Sequence, residues 1–152
     1  MVGYIVVELN EKQGIIDTSG KRILPIKYDE CFSLTEDLTV VRLNGKESLI
    51  RNFTEEVIVS ECDNGIYHLS NNALRIYCNC TGKIIFVDNI TGEKIAVVAY
   101  NDYWNLSDNY IAIKIGRKWG VINNMGEKII PYKYKLSEVQ DKLREILEKK
   151  KP

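Results

Sequence analysis

The sequence predicts an all-β fold of tandem antiparallel three-strand meanders that ends in one C-terminal helix, and three observations carry that prediction. Residues 4–28 and 110–134 align without a gap and share Tyr4/Tyr110, Ile5/Ile111, Lys12/Lys118, Gly14/Gly120, Ile16/Ile122, Gly20/Gly126, Ile23/Ile129, Pro25/Pro131, Lys27/Lys133 and Tyr28/Tyr134, and a constant offset over such a span marks an internal repeat. Short β-branched runs separated by turn residues recur along the chain, which is the signature of half-buried strands. After Tyr134 the apolar spacing changes to that of a helix.

Element by element, Tyr4 to Leu9 is a strand, Asn10 to Lys12 a turn and Gly14 to Asp17 a second strand. Thr18-Ser19-Gly20 turns the chain into a third strand, Lys21 to Ile26, where Pro25 belongs at a strand end or sheet edge because it cannot donate a ladder hydrogen bond. Asp29 to Asp37 reads as a connection. The second unit places strands at Thr39–Leu43, Glu47–Arg51 and Glu56–Val59, with Asn44-Gly45 as a hairpin turn whose two central residues need positive φ. A polar stretch, Glu61 to Gly65, precedes a third unit with strands at Ala73–Cys78, Lys83–Asp88 and Glu93–Tyr100, joined at Thr81-Gly82 and Thr91-Gly92. The fourth has Tyr110–Ile115, Trp119–Asn123 and Glu127–Ile130. Leu34-Thr35-Glu36-Asp37, Leu69-Ser70-Asn71-Asn72 and Leu106-Ser107-Asp108-Asn109 each stand just before a unit's first strand, so three turns recur in phase.

The final segment, about 137–150, carries Ser137-Glu138-Val139-Gln140 in the form of a capping box and an apolar stripe of Leu136, Val139, Leu143, Ile146 and Leu147. It stands where other units run on into another meander, so it is expected to cap the last repeat and cover an otherwise unpaired β surface. The expected organisation is a single domain over 1–152, with units at about 4–37, 38–72, 73–109 and 110–135. Units of this size are lean for four-stranded propeller blades; the alternatives are an open array or a partly closed, barrel- or propeller-like ring, and the capping helix favours the open array.

Lys118-Trp119-Gly120, the later Gly126, Ile129-Ile130-Pro131 and Tyr134 resemble the unit of the WG (KWG) repeat family of bacterial proteins. Unit one keeps Gly14, Gly20, Pro25 and Tyr28 but has Gln13 in place of the Trp; unit two has Glu47-Ser48 at the Trp-Gly site and Thr54 at the later Gly; unit three retains only Gly92-Glu93-Lys94-Ile95. The resemblance implies a tandem β-repeat fold and says little about activity.

Composition narrows the function. No apolar run is long enough to span a bilayer and the first ten residues lack the order of a secretory signal; the expectation is a cytoplasmic protein with no membrane partner. Without such a signal the sequons at Asn52, Asn79, Asn89 and Asn105 are read as accidental. The net charge is zero, yet residues 29–63 hold nine acids and three bases while 114–152 hold eleven bases and five acids. Such sorting can steer a charged partner. Overall neutrality and the lack of a recognition motif argue against nucleic acid.

Cys31, Cys62, Cys78, Cys80 and His68 are residue types that bind zinc, but they lack a Cys-x-x-Cys pair, and the four cysteines read as reduced, buried thiols. No metal or other cofactor is expected. One histidine with no supporting motif argues against a Cys-His nucleophile. Loop acids such as Asp29, Glu30, Glu36 and Asp37 keep a hydrolase reading open. The recurring glycines follow the repeat, and Trp119, Tyr134 and Tyr28 read as packing residues. Tyr100-Asn101-Asp102-Tyr103-Trp104 puts three aromatics into one connection, the residue types of binding hot spots; the opposing reading has Trp104, like Phe32, filling the core between repeats.

The sequence therefore points to a non-enzymatic protein-binding module, with Tyr100, Asp102, Tyr103 and Trp104 and the acids Glu36, Asp37, Glu55 and Glu56 as candidate contacts for another protein. In a narrower form it is an inhibitor or immunity-type protein facing a basic partner. The alternatives are a small-ligand or glycan-binding protein stacking sugars on Tyr103 and Trp104, a hydrolase using loop carboxylates, and a structural subunit that self-associates through a sheet edge.

Overall fold

A computed structural model describes residues 3–60, 62, 64–70 and 73–150. The predicted turn residues Glu61, Asp63, Asn71 and Asn72 and the terminal Lys151 lie outside the described residues. Four antiparallel sheets follow one another along the chain. The first holds β1 (Tyr4–Leu9), β2 (Lys12–Asp17) and β3 (Arg22–Tyr28). The second holds β4 (Glu30–Ser33), β5 (Leu38–Leu43), β6 (Lys46–Arg51) and β7 (Val57–Val59). The third holds β8 (Ile66–Leu69), β9 (Ala73–Cys78), β10 (Lys83–Asp88) and β11 (Lys94–Ala99). The fourth holds β12 (Asp102–Asn105), β13 (Tyr110–Ile115), β14 (Lys118–Asn123) and β15 (Lys128–Tyr134), and α1 (Leu136–Lys149) ends the chain.

Each sheet is a simple meander in sequence order. Among the described residues the three-strand unit holds for the first sheet alone, because the connections read before units two, three and four contain the four-residue strands β4, β8 and β12. Each is flanked by Asp, Ser or Asn, and that turn chemistry concealed them.

The sheets stack face to face, and alternate residues of one strand serve successive layers, as a two-residue period requires. Ile15, Leu24 and Tyr28 of the first sheet meet Val41 and Ile50 of the second. The neighbouring Val40, with Leu49, faces the other way onto Ile76 and Ile85 of the third. From the third sheet, Tyr77, Ile84 and Phe86 pack on Ile111, Ile113 and Ile122 of the fourth. Ala112, Val121 and Ile130 on the fourth sheet's far face are covered by Val139 and Leu143 of the helix. The array is open, with no closed barrel, and the helix occupies the position after the last sheet as expected. Its first turn is fastened by Glu138, whose Oε1 accepts the Lys135 amide at 3.3 Å, and Lys142 lies 4.6 Å over the Tyr134 ring.

Two glycines of the repeat have a steric cause. A Cβ on Gly120 would lie 2.4 Å from the Ile130 carbonyl oxygen, and one on Gly14 would lie 2.7 Å from that of Pro25. Here the second and third strands cross so closely that the ladder jumps register, from Val121 opposite Ile130 to Trp119 opposite Tyr134 and from Ile15 opposite Leu24 to Gln13 opposite Tyr28. Pro25 and Pro131 sit inside β3 and β15, within these jumps, where a missing amide hydrogen costs no ladder bond.

Candidate binding surface

The connection with three aromatics is ordered as a strand rather than a loop: Tyr100 and Asn101 form a short link and Asp102–Asn105 is β12, paired with β13. Alternation then separates the rings. Tyr103 turns inward, stacks on Tyr77 with centroids 4.6 Å apart and meets Tyr100 edge-on at 5.1 Å. The Tyr100 hydroxyl donates to Asn79 Oδ1 at 2.7 Å. Burial raises the pKa of Tyr100, with the neighbouring Tyr103 ring adding to the effect. Trp104 turns outward and is 57% exposed, with Asp102 exposed beside it. These residues shape a shallow groove of about 490 Å³.

Of the predicted aromatic contacts, therefore, Trp104 is exposed, while the half-buried Tyr100 and Tyr103 hold the strand to the third sheet. Phe32 does not fill the core between repeats either, being 66% exposed; its neighbour Cys31 is the buried residue. Phe32 on β4, His68 on β8 and Trp104 on β12 recur every 36 residues at the third position of their strands. That is a series of outward-facing rings on three successive sheets, and the 36-residue spacing was the signal for it. His68 is partly exposed, its Nε2 3.8 Å from Asp108 Oδ1.

The acidic candidates come together in the second sheet. Buried Asn52 donates its side-chain amide to the Glu36 carbonyl oxygen at 2.8 Å and its backbone amide to that of Asp37, also at 2.8 Å, which ties the Thr35–Asp37 turn to the turn before β7. Asn124 holds the equivalent turn of the fourth sheet through Asn109 at 3.0 Å. Glu55 pairs with Lys27 at 2.8 Å and accepts the Tyr28 hydroxyl, and Glu56 pairs with Arg51 at 3.0 Å. The bonds from Lys27 and Tyr28 lower the Glu55 pKa. Glu55 and Tyr28 also line a groove of about 550 Å³ between the first two sheets, with Lys27 and Lys46.

Where the Trp of the repeat is replaced, the substitute ties one sheet to the next. Gln13 Oε1 accepts the amide of Cys31 on β4 at 2.9 Å. Glu47, buried, accepts the Gly65 amide at 2.9 Å and the Tyr67 hydroxyl at 3.2 Å, beside Arg42. Trp119 in the fourth sheet packs toward the helix.

The cysteines depart from the expectation of four reduced thiols. Cys62 and Cys78 are joined as a disulfide with Cα atoms 5.2 Å apart, bridging the segment before β8 to the end of β9. Cys31 is buried, which pushes its thiol up to about 11, and Cys80 is free and exposed. Among the described residues no group of His, Cys, Asp and Glu is arranged to hold a metal ion, and no helix is long and apolar enough to cross a membrane.

Compared with known proteins, the chain matches the model of the WG containing repeat at residues 14–46 and 119–136, which are the first unit with the start of the second and the fourth. These two segments are WG-type repeats. No curated protein matches the chain. Among solved structures it is similar to BamB from Moraxella catarrhalis, at 12% identity and a TM-score of 0.39 over 84% of this chain and 49% of that one. It is also similar to a chain of the S. cerevisiae assembly of a dbp5 variant bound to nup159, a gle1 variant, IP6 and ADP, at 15% identity and a TM-score of 0.43 over 91% of this chain and 43% of that one. The chain spans about half the length of these proteins or less.

Proposed function

We propose that the chain is a non-enzymatic protein-binding module in which the stacked sheets are a rigid scaffold and the first strands of the sheets carry the contacts. The observation that supports this most is Trp104: a large ring left 57% exposed on a strand that Tyr103 and Tyr100 anchor from beneath. Burying such a ring on a partner is the kind of contact that dominates binding energies, and a preformed strand loses little entropy on docking. Phe32 and His68 extend the same surface across the second and third sheets. In the narrower form, an inhibitor of a basic protein, the acids Glu36, Asp37, Glu55 and Glu56 supply the contact, with Glu55 and Glu56 also facing Lys27 and Arg51.

The test is capture from lysate of the source cell by the tagged chain beside its Trp104→Ala variant. The reading expects a stoichiometric protein that is retained by the first and lost by the second at unchanged melting temperature. Equal capture by both would remove Trp104 from the contact.

A further inference from the structure

Among the described residues the first sheet holds three strands and each of the other three holds four. In those sheets β5, β9 and β13 lie inside the sheet, each flanked by a four-residue strand, β4, β8 or β12. The constant offset between residues 4–28 and 110–134 places β1 at the position of β13, and the registers agree, Tyr4 opposite Asp17 as Tyr110 is opposite Asn123. Yet among the described residues β1 pairs with β2 alone. It is a six-residue edge with Ile5, Val6 and Leu9 between 44% and 61% exposed. An apolar edge of this kind is a template for pairing with another chain.

The registers of the complete sheets specify what that chain must look like. On β13, Asp102 stands opposite Lys114, Tyr103 opposite Ile113, Trp104 opposite Ala112 and Asn105 opposite Ile111. The offset converts these sites to Glu8, Val7, Val6 and Ile5 on β1. Opposite Val7 an apolar or aromatic residue is required, since Cys31, Tyr67 and Tyr103 all take that place and point into the core. The charged site is reversed. Glu30 opposes Arg42, with Oε2 to Nε 3.5 Å, and Asp102 opposes Lys114, whereas β1 offers Glu8, which is exposed and held only at 3.4 Å by Gln13 Nε2.

From this geometry we propose that β1 is a strand-addition site for an extended segment of a partner protein that runs antiparallel to it and begins with Lys or Arg followed by an aromatic or apolar residue. Backbone pairing supplies the affinity and the side chains the selection. A second copy pairing through its own β1 is the alternative occupant, and it would show as a dimer. The proposal rests on the reading of the chain as a protein-binding module but uses a different sheet from the one that carries Trp104.

The probes are two fluorescent peptides with the sequence of residues 99–109, one as it stands and one with Asp102→Lys, titrated against the full chain by anisotropy. The Lys peptide is expected to bind more tightly by on the order of fivefold, a repulsion being exchanged for an attraction. In Glu8→Lys, an exposed change, the preference should reverse, and N-methylation of the peptide's third strand residue, whose equivalent Trp104 stands in a hydrogen-bonded pair with Ala112, should abolish binding. Absence of binding, or a preference unchanged in Glu8→Lys, would overturn the proposal, as would light scattering showing a dimer that the peptide dissociates. Trp104→Ala should leave peptide binding intact, so loss of lysate capture in that variant and loss of peptide binding in Glu8→Lys fail independently.

Discussion

Gly120→Ala tests the glycine at which an added Cβ would meet its neighbours most closely. The new Cβ would fall 2.4 Å from the Ile130 carbonyl oxygen, 2.5 Å from Tyr132 Cδ1 and 2.9 Å from the Pro131 carbonyl carbon. Two of these atoms are backbone, so relief requires β15 to move away from β14 rather than a side chain to rotate. Overpacking a closed site costs typically ~1–3 kcal/mol, and a clash with main chain belongs at the upper end, ~3 kcal/mol. For a domain of this size that corresponds to roughly 6–12 °C in melting temperature. Gly116→Ala is the control: its φ of 62° strains a side chain, yet nothing lies within 4 Å of the added carbon. It should cost only ~1 kcal/mol, for the backbone conformation alone. Urea unfolding followed by circular dichroism measures both. If Gly120→Ala were no more destabilising than Gly116→Ala, close strand crossing would not be the reason for the glycine of the Trp-Gly pair.

Phe86→Ala, fully buried between the third and fourth sheets, should lose ~3–5 kcal/mol by chemical denaturation, which would show that the stacking layers carry the fold. Reduction should open the Cys62–Cys78 disulfide, whose 16-residue separation corresponds to ~3 kcal/mol of chain-entropy stabilisation; thiol titration of the unfolded chain should count two free cysteines before reduction and four after, and a midpoint insensitive to reductant would contradict the bridge. The folded pKa of Glu55 lies below its ordinary value because Lys27 and Tyr28 bond its charged form. Its contribution is therefore present above the unfolded pKa of ~4.3 and lost as pH falls through the lower folded value. Acid titration of stability should be shallower in Glu55→Gln across that window.

Much of the fold was legible because local chemistry and long-range packing agree. Asn44-Gly45 adopts the two positive φ angles, 54° and 78°, that its hairpin requires, and the Leu143 stripe lies against the fourth sheet. The strands β4, β8 and β12 were not legible as strands, since four residues with one inward side chain leave almost no periodicity among Asp, Ser and Asn. Tyr103 and Trp104 look alike in sequence, and only pairing with β13 decides which ring is buried. The open edge of β1 was invisible for a related reason: Tyr4 to Leu9 reads like any interior strand until its fourth neighbour is counted. The disulfide depends on a Cα approach between segments whose spacing in sequence carries no such information.

The central claim is an array that the helix covers at one end and that offers an open strand at the other. Hydrogen–deuterium exchange of the free chain tests it most directly. The account predicts that the amides of β1 pointing away from β2 exchange at close to unprotected rates, while those of β5, β9 and β13 on the corresponding side, bonded to β4, β8 and β12, are slowed by orders of magnitude. Protection of β1 equal to that of β13 in the dilute, isolated chain would mean that the first sheet is already complete, and would contradict the account.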